Sequence, residues 1–276
     1  GGVVQDLVLE GALLYVAWMA GTAEAERGGL AVLGVGEAAR LTLLREVPVD
    51  VAARRLTVVD GAALLVGQDG WQSGSNVQRG AILPVDPRPA GGPAVGDRLG
   101  LFRAVADIDV SGGRAFAVEP RTHYGDLSAV RVLDVAGVRR PIPRSILTLP
   151  GPANSVAATP SRLYVGGGEA GLRVVDVGSA SRPIDLGRAS RAGECADDVA
   201  WAPGLLAVLD ACEGRLGVYG LATDGWPVPL GSTVLPSGAT RVAWLGDVVA
   251  VAHGEGGGVT LVDARRSEAP RVIGSW

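Results

Sequence analysis

The chain has 276 residues, 47% apolar and 20% charged, which is ample length for a buried core and too apolar for disorder. Its net charge of -4, with no basic run longer than two, excludes a nucleic-acid binder driven by counterion release. All 25 basic residues are arginine, which excludes lysine chemistry: Schiff bases, P-loop lysines and Ser–Lys dyads.

The 42 glycines and 17 prolines lack collagen periodicity and sit among many Val and Leu, which predicts short strands and tight turns. In chain order the same unit recurs: a strand, a tight turn, a returning strand, a loop, then a third apolar strand. Copies read LVLEGALLYVA then GGLAVLGV, LTVVDGAALLVG then GAILPVDPRP, and DIDVSGGRAFAV then SAVRVLDV. They continue as NSVAAT, PSRLYVGG, AGLRVVDVGSASRP and IDLGRAS; then DVAWAPGLLAVLD and GRLGVYGL; then RVAWLGDVVAVA and GGVTLVDARRSEAP. Aligning the second strands on Tyr15, Leu65, Phe116, Tyr164, Ala207 and Ala250 gives steps of 43–51 residues. No stretch keeps a helical period beyond two turns, and the longest apolar stretch, Ala12–Ala20, is too short to span a bilayer. Six such units predict an all-β fold, a six-bladed β-propeller of four-stranded antiparallel blades. A pair of sandwiches would not explain six copies. One domain, 1–276, is expected, with blades near 1–48, 49–102, 103–151, 152–193, 194–236 and 237–276.

The third-strand motifs Ala170–Pro183, Ser128–Pro141 and Gly257–Pro270 resemble the LVIVD-repeat family, whose core ends in Asp and is followed by Pro. Gly34 and Gly220 stand where units one and five would carry the Asp. The resemblance implies a bacterial or archaeal propeller at the cell surface or outside the cell, and no particular reaction. The repeated acids Asp86, Asp134, Asp176 and Asp263 are expected to accept backbone N–H bonds at the bend into the fourth strand.

A hairpin is predicted over Asp198–Ala202, Pro203-Gly204 and Leu205–Asp210, in which paired residue numbers sum to 407. Cys195 and Cys212 have the same sum, so they are expected to face each other as a disulfide rather than as two buried free thiols. A disulfide points to an oxidising compartment, hence to a secreted or cell-surface protein, a mature chain without its signal peptide.

The residue just before the apolar start of each first strand is Asp6, Arg55, Asp107, Ser155, Asp198 and Arg241. This alternation of acid and base at the channel mouth reads either as structural ion pairs or as a polar ligand site. Three acids would suit calcium; two arginines would suit a carboxylate. The loops after the second strands carry Trp71, His123 and Tyr124, and His253 ends the second strand of unit six. Together they predict a loop face for a protein or glycan partner. No G-x-S-x-G elbow accompanies the two histidines. The expected function is a non-enzymatic extracellular interaction or scaffold module, with self-association among its expected modes. The alternative is a ligand-binding or hydrolytic propeller using the channel mouth.

Overall fold

The structure is a computed structural model that describes residues 3–20, 27–36, 40–68, 79–88, 92–101, 103–120, 127–189, 194–254 and 257–276. Its described residues form six antiparallel sheets with the strands of each sheet in chain order, and the fold is a six-bladed β-propeller. Two compact units divide the chain: residues 1–122 with 131–145, and residues 123–130 with 146–276.

The first unit begins with blade 1: β1 (Val3–Glu10), β2 (Leu13–Ala20), β3 (Arg27–Val35) and β4 (Leu41–Val49). Blade 2 holds β5 (Ala52–Val59), β6 (Ala62–Gln68) and β7 (Gly80–Asp86); its outer position is split between β8 (Ala94–Val95) and β9 (Leu99–Leu101), both paired to β7. Blade 3 comprises β10 (Asp107–Ser111), β11 (Arg114–Glu119), β12 (Leu127–Asp134) and β13 (Ile142–Pro150), of which residues 127–130 and 146–150 belong to the second unit. Tyr15, Leu30 and Val32 of blade 1 pack on Leu56, Leu65 and Leu83 of blade 2. The other face of blade 2, with Leu64, Val66 and Ile82, packs on Ile108, Ala115 and Ala117 of blade 3.

The second unit holds blade 4, with β14 (Ser155–Ala158), β15 (Arg162–Gly166), β16 (Leu172–Asp176) and β17 (Ile184–Arg188). Blade 5 follows as β18 (Asp198–Ala202), β19 (Leu205–Asp210), β20 (Arg215–Leu221) and β21 (Pro227–Val234). Blade 6 is β22 (Ala239–Leu245), β23 (Val248–His253), β24 (Val259–Asp263) and β25 (Arg271–Ser275). Tyr164 and Val174 pack on Val199, Leu206 and Val208, and Ala207 and Val218 pack on Val242, Val249 and Val251. The middle strands of blades 2 and 5 are therefore apolar on both faces, because a blade of the same unit packs on either side.

One position of the sequence alignment shifts. Leu64 faces the next blade, as Tyr15 and Tyr164 do, whereas Leu65 faces the preceding one. The run Ala62–Val66 is apolar throughout, so alternation does not mark its two faces, and a one-residue slip reverses every side chain.

Glycine is required where backbones cross. A Cβ on Gly28 would strike the Val51 carbonyl, and one on Gly80 the Arg103 carbonyl, both in the segment entering the next blade. The Asp60-Gly61 and Gly112-Gly113 hairpins have positive φ at both residues, the primed turn that matches strand twist.

The repeated acids bind the bend as expected. Asp86, Asp134, Asp176 and Asp263 each accept the N–H two residues on, from Arg88, Ala136, Gly178 and Arg265, at 2.9–3.1 Å. Each also meets a guanidinium: Arg88, Arg144, Arg162 and Arg265 respectively. The arginines come from different strands and turns, so the acid is the repeated element and its cation is not. The planar guanidinium offers two parallel donors to a carboxylate, a geometry that lysine lacks. In blades 4 and 6 the third and fourth strands change register beside this bend, between Val174 and Val175 and between Leu261 and Val262.

Two predictions follow from the brackets. Asp176→Ala removes an acceptor for both the Gly178 N–H and Arg162, and should cost about 1–3 kcal/mol in urea unfolding. Hydrogen bonding to Arg88, Arg144 and Arg265 holds Asp86, Asp134 and Asp263 below the ordinary carboxylate value of 3.8. The stability they supply is present above that value and lost as pH falls below it. Asp6 is shifted upward by burial, so its contribution has the opposite sign, falling as pH rises through its raised pKa. Thermal scans should show the melting temperature dropping steeply below pH 4, and less steeply in a variant carrying Asp86→Asn, Asp134→Asn and Asp263→Asn.

Candidate functional site

Of the residues expected at the channel mouth, Asp107, Ser155 and Asp198 open the first strands of their blades, and Asp6, Arg55 and Arg241 lie within the first four residues of theirs. A bulge precedes each of the latter three: the pairing shifts between Val4 and Asp6, between Ala53 and Arg55, and between Ala239 and Arg241. The extra residue bends the strand and re-aims the side chain that follows. In the first unit, Asp6 Oδ2 accepts the N–H of Leu56 at 3.0 Å and Oδ1 accepts that of Leu7. Burial raises the Asp6 pKa; the Leu56 N–H and then the nearby Arg55 charge oppose this. In the second unit, buried Asp198 accepts Arg241 Nη1 on Oδ1 and the Val242 N–H on Oδ2, both at 2.7 Å. Leu56 and Val242 each follow the arginine of their strand, so the same clasp joins blade 1 to blade 2 and blade 5 to blade 6. Asp107 opens β10 opposite Val118, without a bulge.

The hairpin of blade 5 pairs Ala202 with Leu205 and Asp198 with Leu209, with no register shift. Its paired numbers sum to 407, and Cys195 and Cys212 form the disulfide, with their Cα atoms 6.1 Å apart. Asp197 and Asp210 share the sum, and one ligand atom from each lies within 4.8 Å of the two sulfurs. The sulfurs are committed to each other. Asp197 accepts the Ala211 N–H and Asp210 that of Glu213, so both carboxylates also hold turns.

His253 ends β23 in a hydrogen-bonded chain. Its Nδ1 lies 3.0 Å from the Ser237 carbonyl, which requires Nδ1 to carry the proton. Its Nε2 lies 2.8 Å from Thr260 Oγ1, and Thr260 Oγ1 lies 2.9 Å from Ser275 Oγ. Thr260 and Ser275 are direct cross-strand partners. The chain orders a donor–acceptor path from a buried threonine to an exposed serine. It escaped the sequence reading because its members come from three strands and a turn; the only signal was the pairing register.

At the opposite end of blade 6, Asp263, Arg265, Arg266, Ala269 and Arg271 line a cleft of about 660 Å³. Three arginines around one acid make it a basic surface. The sequence reading singled out only Asp263 there. Trp71, His123 and Tyr124 lie outside the described residues.

Asp198→Ala would leave Arg241 without its 2.7 Å partner and the Val242 N–H without its acceptor, and should cost roughly 2–4 kcal/mol by denaturant unfolding. Reducing the Cys195–Cys212 bond, which spans 17 residues, should cost about 3 kcal/mol in the same assay.

No family model matches the chain, and no curated protein matches it in sequence. Among solved structures, a protein from Lactobacillus plantarum superposes with TM-score 0.74 at 14% identity, over 99% of this chain and 84% of that one. A putative 6-phosphogluconolactonase from Bacteroides uniformis gives TM-score 0.73 at 11% identity, over 98% and 83%. The periplasmic gluconolactonase of Pseudomonas aeruginosa gives 0.71 at 15% identity, over 98% and 84%. Likeness at these identities establishes the propeller fold, and only the fold.

Proposed function

We propose that this chain is a non-enzymatic interaction module of the LVIVD-repeat kind, working outside the cell or at its surface. Its partner is a protein or glycan that meets the blade rims and the loops between second and third strands. The observation that carries this reading is the placement of exposed aliphatic side chains on outer strands, such as Ile142 and Ile146 on β13, Ile184 and Leu186 on β17, and Val272 and Ile273 on β25. An outer strand has one unpaired backbone edge, and aliphatic side chains beside it suit strand addition or an apolar contact. The disulfide is consistent with an oxidising compartment.

A second reading has its own support. Asp6, Arg55 and Asp107 in the first unit and Asp198 and Arg241 in the second put acids and arginines near the starts of first strands, and the fold is shared with gluconolactonases. A polar ligand, a carboxylate or calcium would bind there, with hydrolysis as the extreme case.

Peptide and glycan arrays probed with the protein, run beside a lactone-hydrolysis assay, separate the two. Saturable array binding that disappears in Ile184→Arg and Leu186→Arg but survives Asp107→Ala supports the interaction module. Lactone turnover that disappears in Asp107→Ala would replace it with the second reading.

A further inference from the structure

The register of β18 on β19 carries outward to two further pairs, Asp197 with Asp210 and Cys195 with Cys212. Residues two apart along a strand share a sheet face, so these four side chains gather at one place. One ligand atom from each lies within 4.8 Å of the others. The cluster lies wholly within the second unit, at the open end of one blade-5 hairpin. Cys195 is buried, the two acids are half-buried and Cys212 is exposed. While oxidised, the sulfurs bind each other. Reduction turns the same four side chains into a donor set of two sulfurs and two carboxylates.

The carboxylates are open to a cation. Asp86, Asp134, Asp176, Asp198 and Asp263 each meet a guanidinium. Among the described residues Asp197 and Asp210 meet none. Asp197 accepts the Ala211 N–H on Oδ2, and Asp210 accepts the Glu213 N–H on Oδ1. Each keeps a second oxygen for another partner, and two like charges side by side favour a cation between them. The distances fit as well. A tetrahedral zinc, about 2.3 Å from sulfur and about 2.0–2.2 Å from oxygen, sets its ligand atoms roughly 3.3–3.8 Å apart. Cα atoms 6.1 Å apart leave the freed sulfurs room to part to that distance.

We infer that Cys195, Asp197, Asp210 and Cys212 form a redox-gated site for zinc, closed by the disulfide and opened by its reduction. The reductant is a dithiol. Its thiolate attacks the exposed Cys212 Sγ, the S–S bond breaks, and the electron pair leaves on Cys195 Sγ. The second thiol of the reductant then displaces Cys212 and closes the reductant's own disulfide, so two electrons and two protons pass to the protein. Zinc takes both sulfurs as thiolates and one oxygen of each carboxylate, and the two thiol protons pass to water. Thiolate ligands select zinc over calcium and magnesium, which take oxygen alone. The site is independent of the blade rims and of any partner they bind.

The test is titration with cobalt(II), whose bond to thiolate absorbs light, after the chain has been reduced with a dithiol and freed of it without air. The expected result is one cobalt per reduced chain, displaced by zinc, and no thiolate-to-cobalt absorption in the oxidised chain. Cys195→Ser should lose that absorption. Asp197→Asn and Asp210→Asn should each weaken binding by roughly tenfold or more, since even an outer partner of a metal ligand is worth that much. A reduced chain without the absorption overturns the inference, and so does affinity unchanged in both aspartate variants. Binding equally tight in concentrated urea also overturns it, because unfolded thiols need no assembled site. Should the reduced chain unfold without metal, circular dichroism decides. Zinc that restores the sheet signal in the wild type, and not in Cys195→Ser, supports the site; no recovery overturns it.

Discussion

A four-stranded sheet has two faces and cannot cover either by itself, and the rest of this molecule follows from that constraint. Tyr15, Leu30 and Val32 have no core of their own blade to enter; their partners are Leu56, Leu65 and Leu83 of the next. Face-to-face burial therefore fixes the apolar content of the middle strands. It also explains why glycine stands at Gly28 and Gly80, where the chain entering the next blade passes too close for a Cβ. Hydrophobic burial, non-directional and proportional to area, supplies the stability but does not by itself fix how one blade registers on the next.

Polar clasps supply that registration. The carboxylate at the end of a third strand closes the bend over its own backbone and takes an arginine from wherever the local turn can provide one. The carboxylate at the start of a first strand reaches across instead: Asp6 to Leu56, Asp198 to Val242 and Arg241. Both use the same chemistry, an anion accepting from a backbone N–H, at opposite ends of the sheet. The exclusive use of arginine fits this scheme, since most of these acids accept from backbone and guanidinium together.

Such brackets compete with function for the same residues. An acid that must hold a neighbouring strand is not free to leave it for a ligand, so a polar site at the first-strand ends would work through the remaining lone pairs and through its arginines. The rims carry no such commitment. Aliphatic side chains there stand in solvent beside unpaired strand edges. Recognition through surfaces of this kind needs no charged anchor and is indifferent to lysine.

The repeat, the number of blades and the strand order were legible in the sequence, because each depends on local alternation, turn residues and a spacing that recurs six times. The disulfide was legible for the same reason: the two-residue turn at Pro203-Gly204 fixes an unbroken register that carries outward to Cys195 and Cys212. So was the role of Asp86, Asp134, Asp176 and Asp263, since a carboxylate binding an N–H two residues ahead is a local event. Three features depended on tertiary structure. Leu64 rather than Leu65 faces forward, because an all-apolar strand does not mark its faces. Asp198 finds Arg241 some 43 residues away, because blade packing rather than sequence brings them together. His253, Thr260 and Ser275 join across strands through a register that no motif announces.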